Sequence, residues 1–199
     1  QKPDVVLERM VRYYESENAN PLRGVYDLSV KATTGYEDAR ERTAQFIGAS
    51  SPSEIIFTRN ATESLNLIAR SYGEAFIKEG EDIVLTVMEH HSNLLPWQET
   101  ARRTGANLVF LTPDETGFIS DEEIAAKITP KTALVSLAHI SNVLGRKNPV
   151  EKVIKAAHQV GAVVVVDGAQ AVPHTRVNVR ELDADFYVFS GHKMLAPMG

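Results

Sequence analysis

Apolar residues along this chain fall into short runs separated by helix-length amphipathic stretches. Strand-like runs are predicted at Ile55–Thr58, Ile83–Thr86, Leu108–Leu111, Ala133–Ala138, Ala162–Val166 and Phe186–Phe189. Each has the length and the β-branched or aromatic content expected of a buried strand. Two helices are predicted first, about Asp4 to Glu15 and about Val30 to Ile47, the second closed by Gly48. Further helical signals follow between the strands. Thr62 is read as a cap for a helix over Glu63 to Tyr72, and Ser120 with Glu123 forms an S-x-x-E capping box. Pro149 stands at the first turn of a helix reaching about Val160, with Gly161 ending it. Strand and helix alternate for more than a hundred residues, which argues for an α/β fold with a mainly parallel sheet covered on both faces. No repeat or low-complexity linker interrupts it. The chain divides into an N-terminal helical segment, 1–50, and a sheet-forming portion, 51–199.

Composition narrows the function more than the fold. With 43% hydrophobic and 24% charged residues the chain is an ordinary globular sequence. A net charge of −5 offers no electrostatic footprint for nucleic acid or an anionic membrane. The longest apolar run, Ala162–Val166, is strand-sized rather than membrane-sized. The absence of cysteine excludes disulfides, thiolate metal sites and a thiol nucleophile within these residues. The chain opens without an initiator Met and stops soon after its most reactive-looking segment, so a fragment of a longer protein is expected.

In parallel sheets ligands bind beyond the carboxyl ends of the strands, where loops converge and helix N-termini aim free N–H groups outward. Polar residues cluster at those places: Asn60-Ala61-Thr62-Glu63, Glu89-His90-His91-Ser92-Asn93, His139-Ile140-Ser141-Asn142, Asp167-Gly168-Ala169-Gln170 and Ser190-Gly191-His192-Lys193. Asp167 follows four valines, a position where a carboxylate needs a partner; it could cap the next turn or neutralise a buried cation such as a pyridinium. Lys193, beside His192 at the mouth of the sheet, could be a solvated charge or an amine that condenses with an aldehyde. His90 could cover one face of an aromatic ring and move protons; a metal reading of Glu89-His90-His91 lacks the spacing that zinc sites require. Thr62, Ser190 and His192 are donors suited to a phosphate, and Asn142 and Gln170 to a phenolate oxygen. His139, His158 and His174 have no partner that the sequence identifies and are read as structural.

Taken together, Asp167-Gly168-Ala169-Gln170 and Ser190-Gly191-His192-Lys193 resemble the hallmark of class V aminotransferase-type enzymes, which have the fold-type I pyridoxal-phosphate architecture. Met88-Glu89-His90-His91-Ser92-Asn93 with Pro96-Trp97, and His139-Ile140-Ser141-Asn142-Val143-Leu144-Gly145, look like the group II, SUF-type cysteine desulfurases. The resemblance covers essentially the whole chain. It implies the large domain of that fold, a parallel sheet of the seven-stranded type, with a small C-terminal domain absent. It further implies Lys193 as the Schiff-base lysine, Asp167 as partner of the pyridine nitrogen and His90 as the ring-stacking, proton-handling catalytic residue. Gln170 and Asn142 would bind the ring oxygen; Ala61, Thr62, Ser190 and His192 would contribute to cofactor and phosphate binding. The cofactor would be pyridoxal 5′-phosphate and no metal is expected. The implied reaction converts L-cysteine to L-alanine and passes sulfur as a persulfide toward iron–sulfur clusters, in a cytoplasmic homodimer with a SUF-system acceptor protein and neither nucleic acid nor membrane as partner. The family's sulfur-accepting cysteine and substrate-carboxylate arginine belong to a C-terminal region outside these residues. Ala196 and Met198 stand where relatives commonly carry Gly and Thr. Other class V lyases or aminotransferases, a selenocysteine lyase among them, would use nearly the same site, and a catalytically silent SUF-system partner is the alternative from another functional class.

Overall fold

The computed structural model describes residues 2–24 and 26–198. Helices α1 (Asp4–Ser16) and α2 (Asp27–Ile47) lead into α3 (Ala61–Ile68), one wide π-type turn (Ala69–Gly73) and the short α4 (Glu74–Phe76). The sheet-forming part then runs β1 (Asp82–Thr86), α5 (Leu95–Thr104), β2 (Asn107–Leu111), α6 (Asp121–Lys127), β3 (Thr132–Ala138), α7 (Val150–Gln159), β4 (Val163–Asp167), α8 (Val179–Leu182) and β5 (Phe186–Val188). The strands form one parallel sheet in the order β2-β1-β3-β4-β5. The described residues thus supply five strands, not seven. From β1 the chain moves outward to β2, then returns past β1 to β3 and continues the other way. That reversal makes the crevice between β1 and β3 the place where diverging loops open a binding site.

Period-2 alternation sorts the strand residues between two cores. Val84, Val135, Leu137, Val164 and Val166 face α6 and α7, joining Ile124, Val150, Val153 and Ile154. Ile83, Leu85, Leu134, Val165 and Val188 face the other way, onto Leu65 and Ile68 of α3 and onto Trp97 and Ala101 of α5. Both faces of the sheet are therefore covered, which explains why the strands read as continuous apolar runs instead of alternating ones.

The ends expected at Gly48 and Ser120 form, whereas the helix expected to reach Tyr72 stops at Ile68 and Pro149 precedes α7 instead of lying in its first turn. Gly48 closes α2 at φ 71° in the left-handed region, and Ser120 Oγ accepts the Glu123 N–H. Glu123 does not complete a reciprocal box, however: its carboxylate accepts the Thr112 N–H instead, tying α6 to the end of β2. At α3 the cap is Asn60, not Thr62; Asn60 Oδ1 accepts the Glu63 N–H at 3.0 Å, and Glu63 returns a bond to the Arg59 N–H.

The strand expected at Ile55–Thr58 is not formed. The segment runs along an apolar cleft of about 620 Å³ lined also by Phe46, Phe189 and Met194, and none of the described strands pairs with it. Apolar, β-branched sequence is not sufficient for a strand, since the ladder needs a neighbouring backbone. α2 holds the segment instead: Arg40 lies over the Tyr36 and Phe57 rings at 5.0 and 5.2 Å and donates to the Ile55 carbonyl.

Just past β4, Gly168 donates its N–H to the Val188 carbonyl at 2.7 Å, and a Cβ at this position would drive into the Tyr187 ring. We predict that Gly168→Ala destabilises the full-length protein by about 1–3 kcal/mol through overpacking, measured by urea denaturation; unchanged stability would mean that Tyr187 moves aside freely.

Candidate active site

All nine residues singled out from the sequence, Ala61, Thr62, His90, Asn142, Asp167, Gln170, Ser190, His192 and Lys193, line one cavity of about 280 Å³ at the carboxyl end of the sheet. Asn60, Ser92, Ala138, Ile140 and Ala169 complete its wall. Four strand ends and one helix start supply these residues. Asp167 is the last residue of β4, 6% exposed, and its Oδ1 accepts the Ala169 N–H at 2.9 Å. Burial raises its carboxyl above the ordinary range, and the Ala169 N–H and the nearby positive charge of Lys193 offset only part of that.

Lys193 sits in the single 3₁₀ turn Gly191–Met194, which follows β5 and ends on Leu195 at φ 74°. A left-handed leucine is a strained turn end, and here it terminates the segment that carries the lysine. The preceding Ser190 is buried, and its Oγ accepts the Ala61 N–H at 2.9 Å, pinning the start of α3 to the end of β5. With Ala61 and Glu63 N–H groups thus satisfied, the Thr62 N–H and hydroxyl remain without an acceptor among the described residues. An unengaged N–H at a helix start, next to hydroxyls and His192, makes a donor set for an anion.

His90 precedes the 3₁₀ turn His91–Asn93 and caps it with its own ring. Nδ1 accepts the Ser92 N–H at 3.1 Å and lies 2.7 Å from Ser92 Oγ. A backbone N–H can only donate, so Nδ1 is an acceptor and the neutral ring carries its proton on Nε2. Asn142 is presented by a tight loop in which Ser141 Oγ accepts from the Val143 and Leu144 N–H groups.

The remaining histidines stay outside this cavity. His139 is buried, its Nδ1 lies 2.9 Å from the Tyr187 hydroxyl, and burial lowers its pKa. His158 lies between Asp183 and Asp185 at 3.5 and 3.0 Å, and His174 is exposed. His91 lines an adjoining hollow with Val143 and Leu144. Among the described residues no cluster of three or more His, Cys, Asp or Glu could hold a metal ion, and no helix is long and apolar enough to cross a membrane.

Two contributors were not assigned a role from the sequence. Asn60 was detectable, because N-x-x-E before an apolar helical pattern is a cap signature. Glu89 was not. Its carboxylate accepts from the Thr86 hydroxyl at 2.6 Å, the Asn93 amide at 2.7 Å and the Ala138 N–H at 3.0 Å. Burial outweighs those bonds and pushes the carboxyl up to about 7, with the charge of Asp167 adding to the rise. An acid whose folded value stands above its ordinary 4.5 favours the folded state while protonated. That contribution is fully present below about 4.5 and is lost as pH rises through about 7. Glu89→Gln should therefore flatten the pH dependence of the full-length protein's stability across this window, by on the order of 3 kcal/mol. Urea denaturation at pH 5 and pH 8 checks it, and parallel pH profiles for parent and variant would refute it.

The whole chain, residues 1–199, matches the family described as Aminotransferase class-V. It is 50% identical over its full length to a probable cysteine desulfurase of Halalkalibacterium halodurans, of which it covers 49%, and 51% identical to a probable cysteine desulfurase of Synechocystis sp., of which it covers 47%. The chain thus spans about half the length of the curated relatives it matches. Among solved structures, the apo cysteine desulfurase of Thermococcus onnurineus NA1 superposes with a TM-score of 0.94 at 46% identity, covering all of this chain and 49% of that one. The cysteine desulfurase CsdA of Escherichia coli, in its S-sulfonic acid form, gives 0.90 at 37% identity, with 100% and 50% covered. With its parallel sheet, its reactive groups gathered at the strand ends and a match along its whole length, the chain belongs to the class V aminotransferase family.

Proposed function

We propose that this chain is the cofactor-binding part of a pyridoxal-phosphate-dependent cysteine desulfurase of the SUF type, which converts L-cysteine to L-alanine. The observation that carries the reading is the meeting of Lys193, His90 and Asp167 at one cavity beside unengaged donors at the start of α3. Support comes also from the family, whose enzymes depend on pyridoxal phosphate, and from relatives at about 50% identity that bear the name of the activity.

The donor set fits the cofactor. A buried carboxylate at Asp167 calls for a cationic partner, and a protonated pyridine nitrogen supplies one without bulk water. Thr62, Ser190 and His192 offer hydroxyl, ring and backbone donors to a phosphate, while Asn142 and Gln170 offer neutral amides to the ring oxygen. Pyridoxal phosphate, when bound, supplies an electron sink for electrons released at the α-carbon of the amino acid.

The chain's own groups do the rest. Lys193 Nζ would hold the cofactor through its aldehyde carbon, and as a free amine it would be the group to take a proton from the α-carbon of the substrate. Asp167 would keep the ring nitrogen of the cofactor positive. His90 Nε2 presents a proton to the cavity, since Nδ1 is committed to the Ser92 N–H. The substrate sulfur needs a thiolate acceptor, and residues 1–199 contain no cysteine, so we assign that step to a cysteine outside them. The reading includes persulfide transfer to a SUF-system acceptor protein for iron–sulfur cluster assembly, and a cytoplasmic homodimer.

In the full-length enzyme, Lys193→Ala should abolish covalent attachment of the cofactor and lower alanine formation roughly a thousandfold. Borohydride reduction followed by peptide mapping checks this, and a reduced adduct on another lysine would defeat the assignment. Asp167→Ala should lower turnover about a hundredfold at saturating cofactor. Unchanged kcat would show that ring protonation is maintained by some other group.

A further inference from the structure

Glu89 adjoins His90 in sequence, but its carboxylate reaches the end of β3. Oε1 accepts both the Thr86 hydroxyl and the Ala138 N–H, and Oε2 accepts the Asn93 amide. The Thr86 hydroxyl also accepts the Met88 N–H at 3.1 Å, so its own proton is committed to Glu89. Asn93 is fully buried, and its Oδ1 accepts the Trp97 Nε1–H at 3.0 Å and the Ser136 hydroxyl at 2.6 Å. Indole nitrogen is donor only, which fixes the orientation of the Asn93 amide and leaves its NH2 facing Glu89. The two residues flanking the His90 turn, 89 and 93, are thereby tied to β1, β3 and α5 at once. Between them the turn is shaped by a ring nitrogen bound to the Ser92 N–H, so the tie also sets which nitrogen of His90 carries the proton.

We propose that Glu89 is a positioning residue: its carboxylate clamps the His90 turn to the end of β3 and holds the imidazole as the Nε2–H tautomer aimed into the cavity. The mechanistic consequence rests on the desulfurase reading above, whereas the placement of the ring does not. Burial that raises the Glu89 carboxyl to about 7 is the cost of putting an acceptor-only group among three donors. A glutamine of the same shape cannot replace it. With its NH2 at the Oε2 position it meets the Asn93 NH2, and with the amide reversed it meets the Ala138 N–H. Exchanging the two groups does work on paper. With Gln at 89 and Asp at 93, every donor again finds an acceptor and the total charge is unchanged.

The experiment uses the full-length protein in two states. Without cofactor, ¹⁵N NMR of labelled histidine at pH 8 reads the His90 tautomer. A single Nε2–H form is expected in the parent, a mixture in Glu89→Gln, and a single form again in the Glu89→Gln/Asn93→Asp pair. With cofactor at pH 8, Glu89→Gln should lower kcat about tenfold or more while KM for L-cysteine stays within about threefold. The swapped pair should regain most of the loss. Added to His90→Ala, Glu89→Gln should cost nothing further, because its effect passes through the ring. Should Glu89→Gln fail to fold, Thr86→Val, which removes one donor to the carboxylate, is read in its place and should shift the tautomer balance in the same direction. Unchanged His90 nitrogen shifts, equal losses in both backgrounds, or no recovery on swapping would each overturn the proposal. If the tautomer responds as expected but the parent forms no alanine from cysteine, the positioning role stands and the desulfurase reading is what fails.

Discussion

The parallel pairing of β1 with β3, running from Asp82 against Thr132 to Leu85 against Ser136, is the contact around which the site is built. Because the chain leaves β1 for β2 and returns on the other side, the loops that follow β1 and β3 diverge and leave a gap above their ends. Had β2 and β3 been added on the same side, those loops would run side by side and fill it. The same pairing brings Ala138 to where Glu89 can accept its N–H, so one strand contact defines both the gap and the anchoring of the histidine that borders it.

Energetically, the apolar strands make this arrangement affordable. A fully buried leucine, isoleucine or valine stabilises the fold by about 1.5–3 kcal/mol, and Ile83, Val84, Leu85, Leu134, Val135, Leu137, Val164, Val165 and Val166 are all 0% exposed. An unpaired buried polar group costs about 1–3 kcal/mol. Several such losses at the strand ends would erode that margin, and the polar groups there are bonded accordingly. Thr86, Asn93 and Ser136 complete one another around Glu89, and Ser190 meets Ala61.

Two carboxyl groups close to one cavity are raised by burial, and the way each is compensated separates their tasks. Glu89 is surrounded by neutral donors belonging to β1, β3 and the turn itself, so its charge is used up in holding the backbone together. Asp167 receives one N–H, and its other compensation is the positive charge of Lys193 across the cavity. The second arrangement leaves the carboxylate able to meet a ligand cation; the first does not.

The sequence by itself determined the five strands of the sheet, the bounds of α1 and α7, the end of α2, the start of α6 and the set of polar residues at the strand ends. Those features are local: runs of valine can only be buried, caps act within one turn, and a parallel strand must end in a loop on a known side. Its failures are equally physical. Ile55–Thr58 has strand composition, but a ladder needs a backbone beside it, and that is decided by the fold. Thr62 and Asn60 are both capping residue types two positions apart; the Glu three residues after Asn60 was the local signal for Asn60, and reading Thr62 as the cap overlooked it. Glu89 read as one more polar loop residue because its decisive partner, the Ala138 N–H, lies 49 positions along the chain. Ser190 meets Ala61 across 129. Hydrogen-bond partners at such separations are selected by which strands become neighbours, so what anchors the site was settled by the tertiary structure alone.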